Sequence, residues 1–205
     1  MKIRRLKREA VLKEAGKAFG QRGYHNTSLD DIAEALEVSK GTLYNYVKDK
    51  QEILYELHKV TMRIAGEAFE HGKALGGTGA EQLRNILRQH ISSFTTELGA
   101  CAVLVDMDAL RDQDRAEIVK QRDVFHKMFV KIIEKGIRDG SIRPVEPSLA
   151  VFTFMGAIFW LPKWYSPAGK LRGDEFADAM VDLMMSGLLQ TRPSKSVARK
   201  SQAAT

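Results

Sequence analysis

The 205-residue sequence predicts an all-α protein, and three observations carry that expectation. Apolar residues recur at the 3.6-residue spacing of a helix along almost the whole chain, while strand-like alternation and internal repeats are absent. Serine, threonine and aspartate stand in front of several periodic runs, where their side-chain oxygens accept from the free N–H groups of a helix start. Glycine and proline fall between the runs, where helices end.

The first helix spans about Arg4 to Arg22, with Val11, Ala15, Ala18 and Phe19 on one face, and stops at Gly23. Tyr24 is expected to pack back onto it. In "TSLDDIAEAL", Thr27 or Ser28 caps a short helix with Leu29, Ile32, Ala33 and Leu36 inward. "EVS" is a tight connection, and Ser39 caps a second short helix from Lys40 to about Tyr46, held down by Val38, Leu43 and Val47. "DKQE" is a further capping box, from Asp49 to Glu52, opening a long helix to about Leu75 with Ile53, Leu57, Val60, Ile64 and Ala68 inward. "GGTGA" ends it.

Ala80 to Leu98 follows, carrying Leu83, Leu87, His90, Ile91 and Phe94, and then a short helix near Cys101 to Leu110. Asp114 to Arg138 is long, with Ile118, Arg122, Phe125, Phe129 and Ile132 inward, and Pro144 and Pro147 bracket the loop after Gly140. Ser148 to about Leu161 is apolar nearly all round, and Asp174 to about Leu189 is the last of about nine helices. The division expected is 1–49 as one domain, 50–191 as a second, and 192–205 as a disordered basic tail.

Hydrophobic residues make up 44% of the chain and charged ones 28%, enough apolar matter for a sizeable core. A formal charge of +6 and a pI near 9.4 favour a polyanionic partner. The single Cys101 excludes an intramolecular disulfide and a cysteine metal cluster, fits a reducing cytoplasm, and is expected in a core. "MKIRRLKREA" lacks the apolar segment of a secretion signal, and the run from Leu149 to Pro162 is shorter than the roughly 20 residues of a membrane span. A cytoplasmic protein without membrane contact is expected.

Two short helices joined by a tight turn form a helix-turn-helix, whose second helix enters the DNA major groove. With Leu43 and Val47 inward, Lys40, Thr42, Tyr44, Asn45 and Tyr46 face out. Lys40 can donate to guanine, Asn45 can pair bidentately with adenine, and the Thr42 methyl or a tyrosine ring can meet a thymine methyl. Gly41 gives the backbone clearance. Tyr46, Thr27, Lys48 and Lys50 are the candidate phosphate contacts, with Ser28 and Ser39 at the helix starts of the same DNA-facing set. The basic run Lys2, Arg4, Arg5, Lys7 and Arg8 either follows the DNA backbone or forms a solvated helix end.

From Arg8 to Leu54 the sequence closely resembles the DNA-binding domain of the TetR family of bacterial transcriptional regulators. The resemblance rests on Ala15, Phe19, Gly23-Tyr24, Thr27, Asp31-Ile32-Ala33, Val38-Ser39, Gly41-Thr42-Leu43-Tyr44 and Lys50. It implies a homodimer on double-stranded operator DNA, with a variable C-terminal domain that binds a small effector and releases the operator, most often as a repressor. Two positions depart from the family pattern. Glu37 stands where glycine is usual, which implies a left-handed non-glycine residue at a cost of about 1 kcal/mol, and Val47 stands where phenylalanine is common.

The pieces Trp160, Trp164-Tyr165, Pro167, Gly169, Gly187-Leu188 and the segment Gln121 to Phe125 resemble a branch of that family responding to acyl-coenzyme A thioesters. Independently of it, His90 and Arg122 interrupt apolar stripes, where each needs a partner from the protein or from a ligand. Phe94, Met107, Phe125, Phe129, Met155, Trp160 and Trp164 are the expected apolar lining of an effector pocket. Two last helices with apolar surplus predict dimerisation through a four-helix bundle.

Two rival functions remain open. The four aspartates of "DMDALRDQD", with His126 beyond them, suggest a metal-dependent hydrolase, but they fit no metal loop and lack the glycine of a calcium site. No nucleophile triad or phosphate loop occurs, so no catalysis, cofactor or metal is expected. The second rival is a DNA-binding protein that ignores small molecules.

Overall fold

The computed structural model describes residues 2–96 and 106–189, and among them forms eight helices and no strand. These are α1 (Lys2–Arg22), α2 (Leu29–Ala35), α3 (Lys40–Tyr44), α4 (Lys50–Ala74), α5 (Gly79–Thr95), α6 (Asp112–Arg138), α7 (Pro147–Trp164) and α8 (Gly173–Ser186). One isolated antiparallel bridge joins Ile142 to Leu189.

The helices pack as two cores that share α4. The N-terminal head gathers Val11, Ala15, Phe19, Ile32, Leu43 and Val47 around Ile53, Leu54 and Leu57 at the start of α4. The C-terminal core gathers Leu83, Leu87 and Ile91 of α5, Phe129 and Ile133 of α6, Phe154 and Ile158 of α7, and Val181 and Met185 of α8. Because α4 serves both, its buried stripe is not the straight one expected. Val60 and Ile64 are only half-buried, while Leu54, His58, Ala65, Phe69 and Gly72 face inward. Gly72 permits the close crossing with α5, since a methyl there would lie 2.5 Å from the Ile86 nitrogen. Ion pairs from Arg84 to Asp182 and from Arg88 to Asp178 (2.5 Å) tie α5 to α8 along their exposed edge.

Several boundaries differ from expectation. Residues 106–111 form a turn rather than the end of a helix, with the Leu110 amide donating to the Met107 carbonyl (3.3 Å). Cys101 and the 192–205 tail lie outside the described residues. Pro147 does not bracket a loop; it opens α7, where its missing N–H costs nothing, and the Glu146 side chain accepts from the Leu149 amide. Thr78 and Glu81 form a capping box at the start of α5, not foreseen from the sequence.

Candidate nucleic-acid interface and effector cavity

The head is built by caps and one strained turn. Ser28 accepts from the Asp31 amide (3.1 Å) and its own amide donates to the Asp31 carboxylate (2.6 Å), which holds that carboxyl below its ordinary pKa. After α2 the chain reverses at Glu37, whose φ of 53° is the only left-handed non-glycine value among the described residues. That conformation lets the Val38 amide reach the Ala33 carbonyl (3.0 Å), closing the helix end. Ser39 then accepts from the Thr42 amide (3.1 Å) and starts α3. Leu43 is fully buried and Val47 nearly so, fixing which face of α3 points outward.

On that outward face Lys40, Gly41, Tyr44 and Asn45 are exposed, Thr42 and Tyr46 are half-buried, and Lys48 is exposed beyond the helix. The Lys40 ammonium is 2.8 Å from the Asp30 carboxylate, which raises its pKa, but the pair is exposed and screened by solvent. Lys7 sits 6.0 Å above the Tyr46 ring. The side chains of Lys2, Arg4 and Arg5 lie outside the described residues.

Two of the expected phosphate contacts have partners inside the head. Thr27 is 1% exposed, and its hydroxyl donates to the Gly23 carbonyl (2.9 Å), with Ala18 as a second acceptor (3.3 Å). Lys50 donates to the Tyr24 and Thr27 carbonyls (2.6 and 2.8 Å) and lies 4.1 Å above the Tyr24 ring. Burial pulls the pKa of this ammonium down. Both side chains pin the turn between α1 and α2, Thr27 from inside and Lys50 from a half-buried position. Val38, expected as an anchor, is 37% exposed because the Glu37 turn rotates it outward.

The second feature is a partly open cavity of about 470 Å³ lined by α4, α5, α6 and α7. Of the expected lining, His90, Arg122, Phe125, Phe129 and Met155 reach it. Phe94 does not: it is buried behind His90, ring against ring at 5.0 Å. Met107 packs on the head core, and Trp160 and Trp164 are 63% and 55% exposed on the outer face of α7. The sequence reading missed His58, Thr61 and Met62 of α4, Asp123 and His126 of α6, and Phe152 and Phe159 of α7. A second stripe on α4 at Leu54, His58, Thr61 and Ala65 has helical spacing and was the available signal.

The cavity's polar groups are unusual in having so few partners. Arg122 makes no hydrogen bond or ion pair with any described residue, and burial lowers its pKa; its guanidinium carbon is 5.9 Å from the Phe159 ring centre. Burial pushes His90 down to about 4, and burial, helped by Arg122, pushes His58 down to about 4. Both nitrogens of His90 and Nε2 of His58 and of His126 are buried without a hydrogen-bond partner. His126 stacks on Phe152 at 4.9 Å.

Between cavity and head runs a set of polar ties. Arg111, just before α6, pairs with Asp49, which caps α4 (2.6 Å). Gln51 donates to the Ala109 carbonyl (3.3 Å), and Tyr55 donates to Glu117 (2.7 Å), which raises the phenol pKa to about 12. Asp108 and Asp114 of the aspartate cluster pair with Arg115 and Arg111. Among the described residues no three metal-ligating side chains converge, and no helix is long and apolar enough to cross a membrane. The outer faces of α7 and α8 leave Leu149, Phe152, Trp160, Trp164 and Leu183 exposed.

Known proteins share this arrangement. Residues 11–57 match the family model for bacterial regulatory proteins of the tetR family, and residues 76–188 match a tetracyclin repressor-like C-terminal domain. The HTH-type transcriptional repressor KstR2 of Mycolicibacterium smegmatis is 26% identical over 195 residues, covering 92% of this chain and 94% of that protein. The TetR-family regulator PfmR of Thermus thermophilus superposes with a TM-score of 0.76 at 30% identity, over 88% of this chain and 99% of its own. AibR, solved in complex with isovaleryl coenzyme A and operator DNA, superposes with a TM-score of 0.73 at 27% identity, over 86% and 96%. With a helix-turn-helix head on an all-helical body and both family models in register, the chain is a DNA-binding transcriptional regulator that belongs to the TetR family.

Proposed function

We propose that this regulator is a homodimeric repressor whose operator is released when a small, largely apolar effector of the acyl-thioester type enters the cavity. In this reading residues 1–49 hold the DNA contacts and residues 50–191 the effector site and dimer face. Lys40, Thr42, Tyr44 and Asn45 meet base edges, and Lys48 and Tyr46 meet phosphates. The exposed apolar faces of α7 and α8 meet their symmetry mates, an isologous arrangement that sets two α3 helices about one DNA turn apart, roughly 34 Å.

The observation that carries the effector is Arg122, a half-buried cation with no hydrogen bond or ion pair among the described residues, beside Phe125, Phe129 and Met155 in the cavity lining. A carboxylate, phosphate or thioester carbonyl of a ligand supplies what the protein withholds. Transmission follows from α4, whose first turns are head core and whose His58 and Thr61 line the cavity. An occupant that shifts α4 against α6 therefore moves the head and its spacing from the second head. Support for the thioester class comes from AibR, which was crystallised with isovaleryl coenzyme A.

The test is fluorescence anisotropy of labelled operator complex titrated with isovaleryl-, decanoyl- and longer acyl-coenzyme A thioesters and with the free acids. Release by one class is expected. Operator affinity indifferent to all of them removes the effector and leaves a constitutive DNA-binding protein.

A further inference from the structure

The cavity holds more than an apolar chain needs. A plain hydrocarbon tail asks only for apolar walls, which Phe125, Phe129, Val151 and Met155 provide. Yet three histidines that line it carry four buried ring nitrogens without partners: both of His90, and one each of His58 and His126. His58 and His90 are only 3% and 2% exposed, so bulk solvent does not serve them. Buried polar groups are nearly always hydrogen-bonded in native proteins, so four such atoms around one cavity mark a site whose occupant completes the bonds.

The tautomers say which groups the occupant must bring. The His58 ring donates to the Asp106 backbone carbonyl, which raises its proton affinity and leaves the orphan Nε2 as a lone pair when the ring is neutral. A lone pair calls for a hydroxyl. Neutral His90 presents one N–H and one lone pair, and so accepts from a hydroxyl and donates to a carbonyl. A purely hydrocarbon occupant leaves each of these groups unpaired, whereas one that brings oxygens to them on binding recovers their bonds.

We infer that the effector is an oxygenated organic acid or its thioester, with its acid or thioester group at Arg122 and hydroxyl or keto oxygens along an apolar frame at His58, His90 and His126. This rests on the effector reading above and narrows it, separating the ligand from simple saturated acyl chains.

The experiment compares decanoyl-, hydroxydecanoyl- and oxodecanoyl-coenzyme A, with cyclohexanepropionyl-, hydroxycyclohexanepropionyl- and oxocyclohexanepropionyl-coenzyme A, for release of operator from the full-length dimer. The oxygenated member of at least one series is expected to act at about tenfold lower concentration than its hydrocarbon parent. His90→Leu and His126→Phe are expected to abolish that preference while keeping operator binding. Hydrocarbon parents as potent as the oxygenated members overturn the inference and leave the effector reading standing; release by none overturns both. A ligand-free measurement adds a second check. Removing a partnerless ring leaves no hydrogen bond broken, so His90→Leu should melt at or above the wild-type temperature, and a fall of several degrees overturns the inference by revealing a structural partner.

Discussion

The head and the cavity handle polar side chains in opposite ways. In the head almost every buried or half-buried polar group has its partner within the chain: Thr27 on Gly23, Lys50 on Tyr24 and Thr27, Ser28 on Asp31, and Asp49 on Glu52 and Arg111. In the cavity Arg122, His90 and one nitrogen each of His58 and His126 have none. The head is thus shaped before DNA arrives, and only its outward residues await a partner. The cavity is half of a site, carrying the free-energy cost of buried unpaired groups until something fills it. Such groups weaken the part of the molecule that must move, which suits a region expected to switch.

Acid should separate the two regions most strongly. His58 and His90 have folded pKa values depressed to about 4 from 6.5, so the unfolded chain binds more protons than the folded one between those values. Stability therefore falls as pH drops through that window, by roughly 2 kcal/mol from each ring by about pH 4.5. The head carboxylates Asp31 and Asp49 have lowered pKa values, so their contributions persist down to the ordinary carboxylate range and are lost only below it. Urea denaturation followed by tryptophan fluorescence, which reports α7, is expected to shift well before amide exchange in α2 and α3 accelerates. Simultaneous loss would erase the contrast.

Lys50→Met tests the head from the other side. It strips two carbonyls of their donor and should cost about 1–3 kcal/mol in denaturant unfolding. The salt dependence of operator binding should keep its slope, because this ammonium is held inside the head. Lys48→Ala should do the reverse, leaving stability unchanged and reducing the salt slope by about one. A lowered slope for Lys50→Met would return that residue to the phosphate contacts.

Those tests bear on residues the sequence placed well and residues it placed badly, for a physical reason. Caps, glycine stops and the inward position of Leu43 are local, set by a few neighbours in the chain, and α1 to α4 were legible to within a residue or two. Glu37 was legible through the family resemblance alone, because glycine is usual at that turn, and its φ of 53° agrees. The internal bonds of Thr27 and Lys50 were not foreseen because their acceptors lie in turns brought near only by folding; Lys50 reaches back 26 residues to Tyr24. The cavity was half legible. Arg122, Phe125 and Phe129 announce themselves on one stripe of α6, whereas His58 and Thr61 sit on a helix that changes cores halfway, which no single period describes. Trp160 and Trp164 drew attention as large aromatics, but helix rotation turned them outward.

Arg122→Leu sharpens the cavity side. Removing a half-buried cation that has no hydrogen bond or ion pair should leave the free protein equally stable or up to about 1 kcal/mol more stable, since no such bond is lost. Operator release by the effector should disappear at the same time. A clear loss of stability in chemical denaturation would show that the guanidinium is supported from within, and the contrast with Lys50 would fail.

The smallest effect is expected at Glu37, the one place where the head itself is strained. A left-handed residue with a Cβ costs about 1–2 kcal/mol, but glycine gives back roughly half of that through the freedom it gains in the unfolded chain. Glu37→Gly should therefore stabilise the head by only about 0.5–1 kcal/mol, visible as a small rise in denaturation midpoint at constant slope. The glutamate side chain is exposed beside the outward face of α3, so its loss also removes a negative charge near the DNA. Operator affinity should rise slightly at low salt and not at high salt. A rise that survives high salt would instead mean that turn strain, and not charge, limits how α3 meets the groove.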